Sequence, residues 1–117
     1  MTGPDERPGH LSGTVELDRD VAPPDDGVVH VAVLDVTRAD AASVEVAGVD
    51  VATGGGHRLP FELPDVPSRP GHRYVVRAHW DPRGDREVQA GDQLTVVSVP
   101  VEPAHGASGV RVPLRQV

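Results

Sequence analysis

The six histidines are the side chains in this sequence most suited to metal binding and to proton transfer near neutral pH. A metal site needs imidazoles that converge, often two residues apart on a strand or four apart on a helix. No two of these histidines have either spacing. His30 and His79 fall in separate strand-like segments and could meet across paired strands, so a metal shared by these two is the alternative. We predict structural histidines and no metal site.

Nucleophilic catalysis finds no support in the sequence. A serine hydrolase usually carries its serine on a G-x-S-x-G elbow, and none of the five serines has that context. Cysteine is absent, which excludes a cysteine nucleophile, a thiolate zinc site and a disulfide framework. The run Gly54–Gly56 lacks the Lys-Ser/Thr of a phosphate-binding loop. Aspartate and glutamate are plentiful, but no pair is singled out, so we predict no catalytic residue and no cofactor.

The most distinctive polar segment is Asp35-Val36-Thr37-Arg38-Ala39-Asp40, which places two acids and an arginine at the predicted end of a strand. Thr37 to Asp40 also has the spacing of a weak capping box, so one helical turn or a plain loop could follow the strand. An arginine fork can bind a carboxylate through two hydrogen bonds. The cluster is interpreted either as an ion-paired corner or as a recognition patch beside an exposed strand edge. The candidate binding residues are Asp35, Arg38, Asp40, Phe61 and Arg77.

The elements that must position these residues are predicted to be short β-strands. The chain has 22 valines, whose branched Cβ suits a pleated sheet, and no isoleucine. Thirteen glycines and 12 prolines interrupt the valine runs every few residues. This pattern is typical of a small sandwich or barrel. We therefore predict an all-β fold, namely an antiparallel β-sandwich of seven to eight short strands.

Three segments carry more detailed predictions. Residues 28–36 are almost continuously apolar, which predicts a central strand covered on both faces. The alternation of valines changes phase at Ala47-Gly48, which predicts a β-bulge. Phe61 shares one face with its apolar neighbours, whereas Pro60 and Pro64 cannot donate to a ladder. The segment around Phe61 is therefore predicted to be an edge strand or an extended crossover.

The net charge and the terminal residues lead to predictions about domain bounds, partners and location. We predict a disordered tail at residues 1–9 and a single domain at residues 10–117. A net charge of -7 argues against nucleic-acid binding, which needs clustered Lys and Arg. The first residues lack the apolar region of a secretory signal, and no run approaches the ~20 apolar residues that span a bilayer. The chain as written is expected to be cytoplasmic without membrane insertion, or to belong to the cell envelope if its native N-terminus was trimmed.

Several segments resemble a known protein family. They are Gly13-Thr14-Val15, Pro23-Pro24, the run from Val31 to Ala41 (VAVLDVTRADA), Pro60-Phe61-Glu62-Leu63-Pro64, and Tyr74-Val75-Val76-Arg77-Ala78. In this order and spacing, over residues 11–101, the chain resembles the YbaY-type lipoproteins, which are related to the YscW-type lipoprotein chaperones, or pilotins, of type III secretion. The resemblance implies a small β-sandwich without known catalytic residues. It also implies a partner, since pilotin relatives bind an outer-membrane secretin subunit. Family members typically carry a signal peptide and a lipidated cysteine, and this sequence has neither.

These observations lead to one preferred function and two alternatives. The preferred function is a non-catalytic, chaperone-like domain that binds a protein or peptide, with an open strand edge accepting an added strand. One alternative is a small metal- or carboxylate-dependent hydrolase. The other is a self-associating structural module in which a second copy of the chain occupies the exposed edge.

Overall fold

Valine-rich segments separated by glycine and proline turns form nearly all of the regular structure. The computed structural model describes residues 9–38, 40–83 and 87–117, and in these ranges it contains eight strands and one 3₁₀ turn, Pro103–His105. The strands are β1 (Gly9–Glu16), β2 (Val28–Asp35), β3 (Val44–Ala52), β4 (Arg58–Val66), β5 (Tyr74–Asp81), β6 (Gln93–Thr95), β7 (Pro100–Val101) and β8 (Ala107–Gln116). The predicted all-β class is confirmed.

The strands follow the order β3-β2-β5-β6-β8-β1-β4, and β7 pairs with β5 beside β6. Strand β8 joins β1 and β4 to the other strands, because its residues up to Pro113 pair with β1 and its last residues pair with β6. The pairing of β1 with β8 is parallel, so the sheet is mixed. We had expected a purely antiparallel arrangement. Parallel neighbours need a long crossover, and here the whole chain between the first and last strands provides it.

Small side chains, at alternate positions along the strands, line the interior. Strands β2 and β5 contribute Val29, Val31, Val33, Val76 and Ala78, which are all almost fully buried. Each buried valine stabilises the fold by about 1.5 kcal/mol, at the low end for core side chains, so many are needed to offset chain entropy. The predicted cover on both faces of β2 is confirmed at its end, where the outward-facing Leu34 is also buried.

Two local irregularities depend on individual residues. Val33 pairs with Ala47 and Leu34 pairs with Glu45, so Val46 is the extra residue of a bulge in β3. The predicted bulge exists, one residue before the predicted pair. At Gly13, the backbone of β8 comes so close that a Cβ atom would lie 2.0 Å from the carbonyl oxygen of Val110. Only glycine permits this approach, which explains a glycine inside a buried strand.

The ends of the strand order are the edges of the sheet. Within the described residues, strand β4, which carries Pro60 and Pro64, pairs only with β1, so the edge-strand prediction is confirmed. Strand β3 packs beside β4, although no ladder joins them in the described ranges. The predicted tail at residues 1–9 lies outside the described residues except for Gly9, where β1 begins. Residues 36–38 form no helix, and Ala39 of the predicted capping box is also outside the described ranges.

Candidate functional site

The corner at the end of β2 is organised around the carboxylate of Asp35. It accepts hydrogen bonds from the backbone N–H of Thr37 (3.0 Å) and from the Thr37 hydroxyl. His72 donates a third from Nδ1 (2.6 Å), since an ionised carboxylate can only accept. Burial by itself raises the pKa of Asp35, but the hydrogen bonds from Thr37 and His72 outweigh burial and lower the pKa to about 2. Asp35 is therefore a charged anchor for the loop that carries His72.

That loop, residues 68–73, is held from two sides. The backbone N–H of Arg73 donates to the Thr37 hydroxyl (2.9 Å), and the carbonyl of Arg73 accepts from the N–H of Val36 (2.9 Å). On the other side, the hydroxyl of Tyr74 accepts from the N–H of Arg69 (2.9 Å). The rings of Tyr74 and His72 stack with centroids 6.4 Å apart. The loop therefore presents the imidazole of His72 in a defined position beside a largely buried tyrosine.

An open groove lies between this loop and residues 98–105. It consists of two adjoining cavities of about 560 and 450 Å³, which share His72, Tyr74, Val101 and Glu102. These volumes are in the range of about 300–1,000 Å³ found for ligand sites. The remaining apolar lining of the first cavity comes from Val36, Val75 and Pro100. Arg73 lines the first cavity and Arg69 the second, so the groove combines apolar walls with positive charge.

A short strand edge borders the same groove. Strand β7 pairs with β5, and no strand in the described part of the chain pairs with the other side of β7. Val101 of β7 lines both cavities. Just before β7, Val96 and Val97 expose 59% and 55% of their surface. A free edge and a groove therefore adjoin, with two exposed valines a few residues earlier in the chain, which suits the binding of an apolar peptide segment.

The five candidate binding residues are not brought together. Asp35 borders the groove through His72, and Arg38 and Asp40 are exposed nearby in the sequence. Arg77 projects from the outer face of β5 into a shallow surface cavity that Glu45 also lines. In the described ranges, no ion pair joins Arg77 to Asp35 or Asp40. Phe61 is 4% exposed and belongs to the core, where it packs rather than faces a partner.

Sequence reasoning missed the residues that line the groove, chiefly His72, Tyr74 and Val101. The turn Ser68-Arg69-Pro70-Gly71 was visible in the sequence, but its position beside Asp35 follows from the register of β2 and β5, which pairs Asp35 with Tyr74. The described lining of the groove contains no set of three convergent metal-ligating side chains. In the described residues such a set lies at the opposite end of β5.

Comparisons with known proteins give a consistent result. No helix of the described chain is long and apolar enough to cross a membrane. A comparison with curated protein sequences finds no match. Among solved structures, the chain is similar to an alternative pilotin from the type II secretion system of Vibrio cholerae, with a TM-score of 0.64 and 23% identity, covering 95% of this chain and 100% of that one. At this identity the similarity shows the fold.

The family is shown by sequence. A family model described as "Type III secretion system lipoprotein chaperone (YscW)" matches residues 6–105, which is most of the chain. The predicted relationship to YscW-type chaperones is confirmed, while the likeness to YbaY-type lipoproteins stays a resemblance. The chain therefore belongs to the YscW family of type III secretion system lipoprotein chaperones.

Proposed function

We propose that this protein is a non-catalytic chaperone that binds an apolar segment of a secretin subunit in the groove between residues 68–73 and residues 98–105. The observation that carries the proposal is the coincidence of two adjoining cavities with the free edge of β7. Membership of a family of secretion lipoprotein chaperones supports both the class of partner and a place of action at the cell envelope.

The chemistry of the groove indicates how such a segment would bind. Strand β7 has two residues, and Pro100 has no N–H to donate. An added strand would therefore gain few backbone hydrogen bonds, and burial of its apolar side chains against Val101 and Tyr74 must supply most of the affinity.

Charge adds selectivity to this apolar contact. Arg69, Arg73 and His72 line the groove, with Glu102 as the acidic residue beside them. The protein as a whole carries a net charge of -7, whereas two arginines and one glutamate line this groove. An acidic side chain next to the apolar residues of the segment would be attracted here, which favours correct partners and faster association.

The test measures binding of the secretin subunit from the same organism by calorimetry. Val97→Asp places a charge on the apolar surface beside β7, and Val101→Asp places one inside the groove. Each is expected to weaken binding at least tenfold, because a charge must then be desolvated in the complex. Val44→Asp is the matched control, since Val44 is 61% exposed on β3, outside the groove lining.

Two results would count against the proposal. Equal affinity of the wild type, Val97→Asp and Val101→Asp would exclude the groove and the apolar surface before β7 from the binding site. A wild-type dimer that Val97→Asp converts to a monomer, without any secretin binding by either form, would support the self-associating alternative instead. Thermal unfolding of each variant shows whether a loss of binding reflects a loss of fold.

A further inference from the structure

A second polar cluster lies on the outer face of the sheet, at the end of β5 away from the groove. His79 and Asp81 are two residues apart on β5 and therefore share a face. Strand β2 brings His30 directly opposite His79, with ring centroids 6.1 Å apart. The turn before β6 adds Asp92, 13 positions after His79 in the chain. Three segments thus bring two imidazoles and two carboxylates together.

The donor atoms of this cluster converge. One ligand atom from each of His79, Asp81 and Asp92 lies within 4.8 Å of the other two. His79 Nε2 is 2.9 Å from Asp92 Oδ2, and His30 Nε2 is 3.3 Å from Asp81 Oδ2. Donor atoms around a tetrahedral zinc ion stand about 3.3 Å apart, because each lies about 2.0–2.1 Å from the metal. Small movements of these side chains would be enough to surround an ion.

Burial and charge also favour a cation. Asp81 and Asp92 are 0% and 1% exposed, so two carboxylates are removed from water side by side. Buried carboxylates are costly unless a positive charge or several hydrogen bonds compensate them. The guanidinium of Arg83 reaches Asp92 Oδ1 at 3.4 Å. The N–H groups of Arg83 and Gln89 also donate to Asp81 and Asp92, and a divalent ion between the two carboxylates would add positive charge that these neutral donors do not supply.

We propose that His79, Asp81 and Asp92 bind a divalent transition-metal ion of the zinc class. Imidazole and carboxylate together suit Zn²⁺. His30 is a positioning residue, because its Nε2 faces Asp81 while its Nδ1 is 2.5 Å from Asp50. Such contacts from a second layer orient a metal ligand and raise its affinity. The ion joins the end of β5 to the turn at residues 89–92 in a chain that has no disulfides.

Arg83 gives the proposal a distinctive consequence. Its side chain is 45% exposed and contacts the carboxylate of a proposed ligand, so it competes with the metal for that carboxylate. Removing this positive charge should strengthen metal binding. If the cluster were only a hydrogen-bonded network that binds no metal, removing Arg83 would not increase any affinity for metal.

The experiment titrates the full chain, stripped of metal with a chelator, with zinc ion alone in a calorimeter. The wild type is expected to bind one equivalent. Asp92→Asn and His79→Gln should each weaken binding at least 100-fold, His30→Gln by about 10–100-fold as for other second-layer partners, and Arg83→Gln should bind several-fold more tightly. His72→Gln is the matched control, because His72 also contacts an aspartate but lies in the groove. The zinc affinity of this variant should equal that of the wild type.

Cobalt substitution provides an independent readout. A tetrahedral cobalt site gives strong visible absorption, and His79→Gln should abolish that absorption while the far-UV spectrum stays unchanged. A wild type that binds no stoichiometric zinc overturns the proposal. So does a His79→Gln or Asp92→Asn variant that binds zinc like the wild type, or an Arg83→Gln variant that binds it no more tightly. If Asp92→Asn does not fold, His79→Gln and Arg83→Gln still decide the question, since both side chains reach the surface.

Discussion

Strands β2 and β5 carry an aspartate–histidine cluster at each end of their pairing, and the two clusters differ in what satisfies the carboxylate. Asp35 and Asp81 both end a strand, and both accept a hydrogen bond from the backbone N–H two residues later, at Thr37 and Arg83. At Asp35 the hydroxyl of Thr37 adds a local donor, and His72 completes the set at the edge of an open groove.

At the other end, two neighbouring carboxylates face imidazoles. Asp81 faces His30 of β2, and the neighbouring Asp92 faces His79 of β5. Both carboxylates are fully buried, whereas the side chain of Asp35 is 19% exposed. The partly exposed Asp35, held by its own turn and by His72, fixes a corner of the fold. The two buried carboxylates that face imidazoles depend more strongly on the partners that replace water.

The largest expected effect concerns Asp92→Ala. The change leaves His79, Arg83 and the N–H of Gln89 without this acceptor, so the free energy of unfolding should fall by about 3–5 kcal/mol, as for other broken buried pairs. Chemical denaturation in the presence of a chelator measures this without any contribution from metal. Asp20→Ala is the control, because the Asp20–Arg115 pair is exposed and should contribute less than about 1 kcal/mol. Equal losses of unfolding free energy in the two variants would show that the buried and the exposed carboxylates contribute equally to stability.

An intermediate effect is expected for Asp35→Asn. Hydrogen bonds to a charged group contribute about 1.5–3 kcal/mol, and the variant should lose about that much at neutral pH. Because the folded pKa of about 2 lies below the ordinary value of 3.8, the stabilisation by Asp35 is complete above about pH 5 and is lost as the pH falls towards 2.

The measurement is the difference in unfolding free energy between the wild type and Asp35→Asn at several pH values. That difference should shrink between pH 4 and pH 2. The contributions of the other carboxylates to the pH dependence cancel, because both proteins contain them. A difference that stays constant over this range would show that the charge of Asp35 does not hold the corner.

The smallest effect is expected for Tyr74→Phe. The variant removes the hydroxyl that accepts a hydrogen bond from the N–H of Arg69, at a cost of about 1 kcal/mol. Residues 68–73 then lose the hydrogen bond that holds them on the Tyr74 side, so binding of the secretin subunit should weaken several-fold. Zinc binding at the far end of β5 should not change. Parallel loss of both activities would mean that the two ends of the β2–β5 pair are not independent.

Much of the fold could be predicted because its signals are local. The alternation around Phe61 and the prolines beside it predicted an edge strand, and β4 is one. The phase change near Ala47 predicted a bulge, and one occurs at Val46. The parallel pairing of β1 with β8 was missed, since nothing near Glu16 indicates that Arg111, 95 positions later, will lie beside it.

The functional residues were harder to predict. We expected no metal site because no two histidines have a suitable spacing, whereas the proposed site uses one histidine and two aspartates from separate segments. Asp35 lies in a polar corner, and the groove beside it is lined, apart from Val36, by residues that the sequence places 33 or more positions away, such as Arg69 and Val101. Arg77 and Phe61 were grouped with Asp35 on sequence pattern alone, and they lie on an outer face and in the core.

The sequence alone determined the class of the fold, because the valine alternation and the glycine and proline turns act over a few residues and need no distant partner. It also determined the family, through short segments that keep their order. Only the tertiary structure decided which carboxylate faces which imidazole. That choice depends on the register between β2 and β5 and on the turn that returns Asp92 to His79, and register is settled by the packing of the whole core.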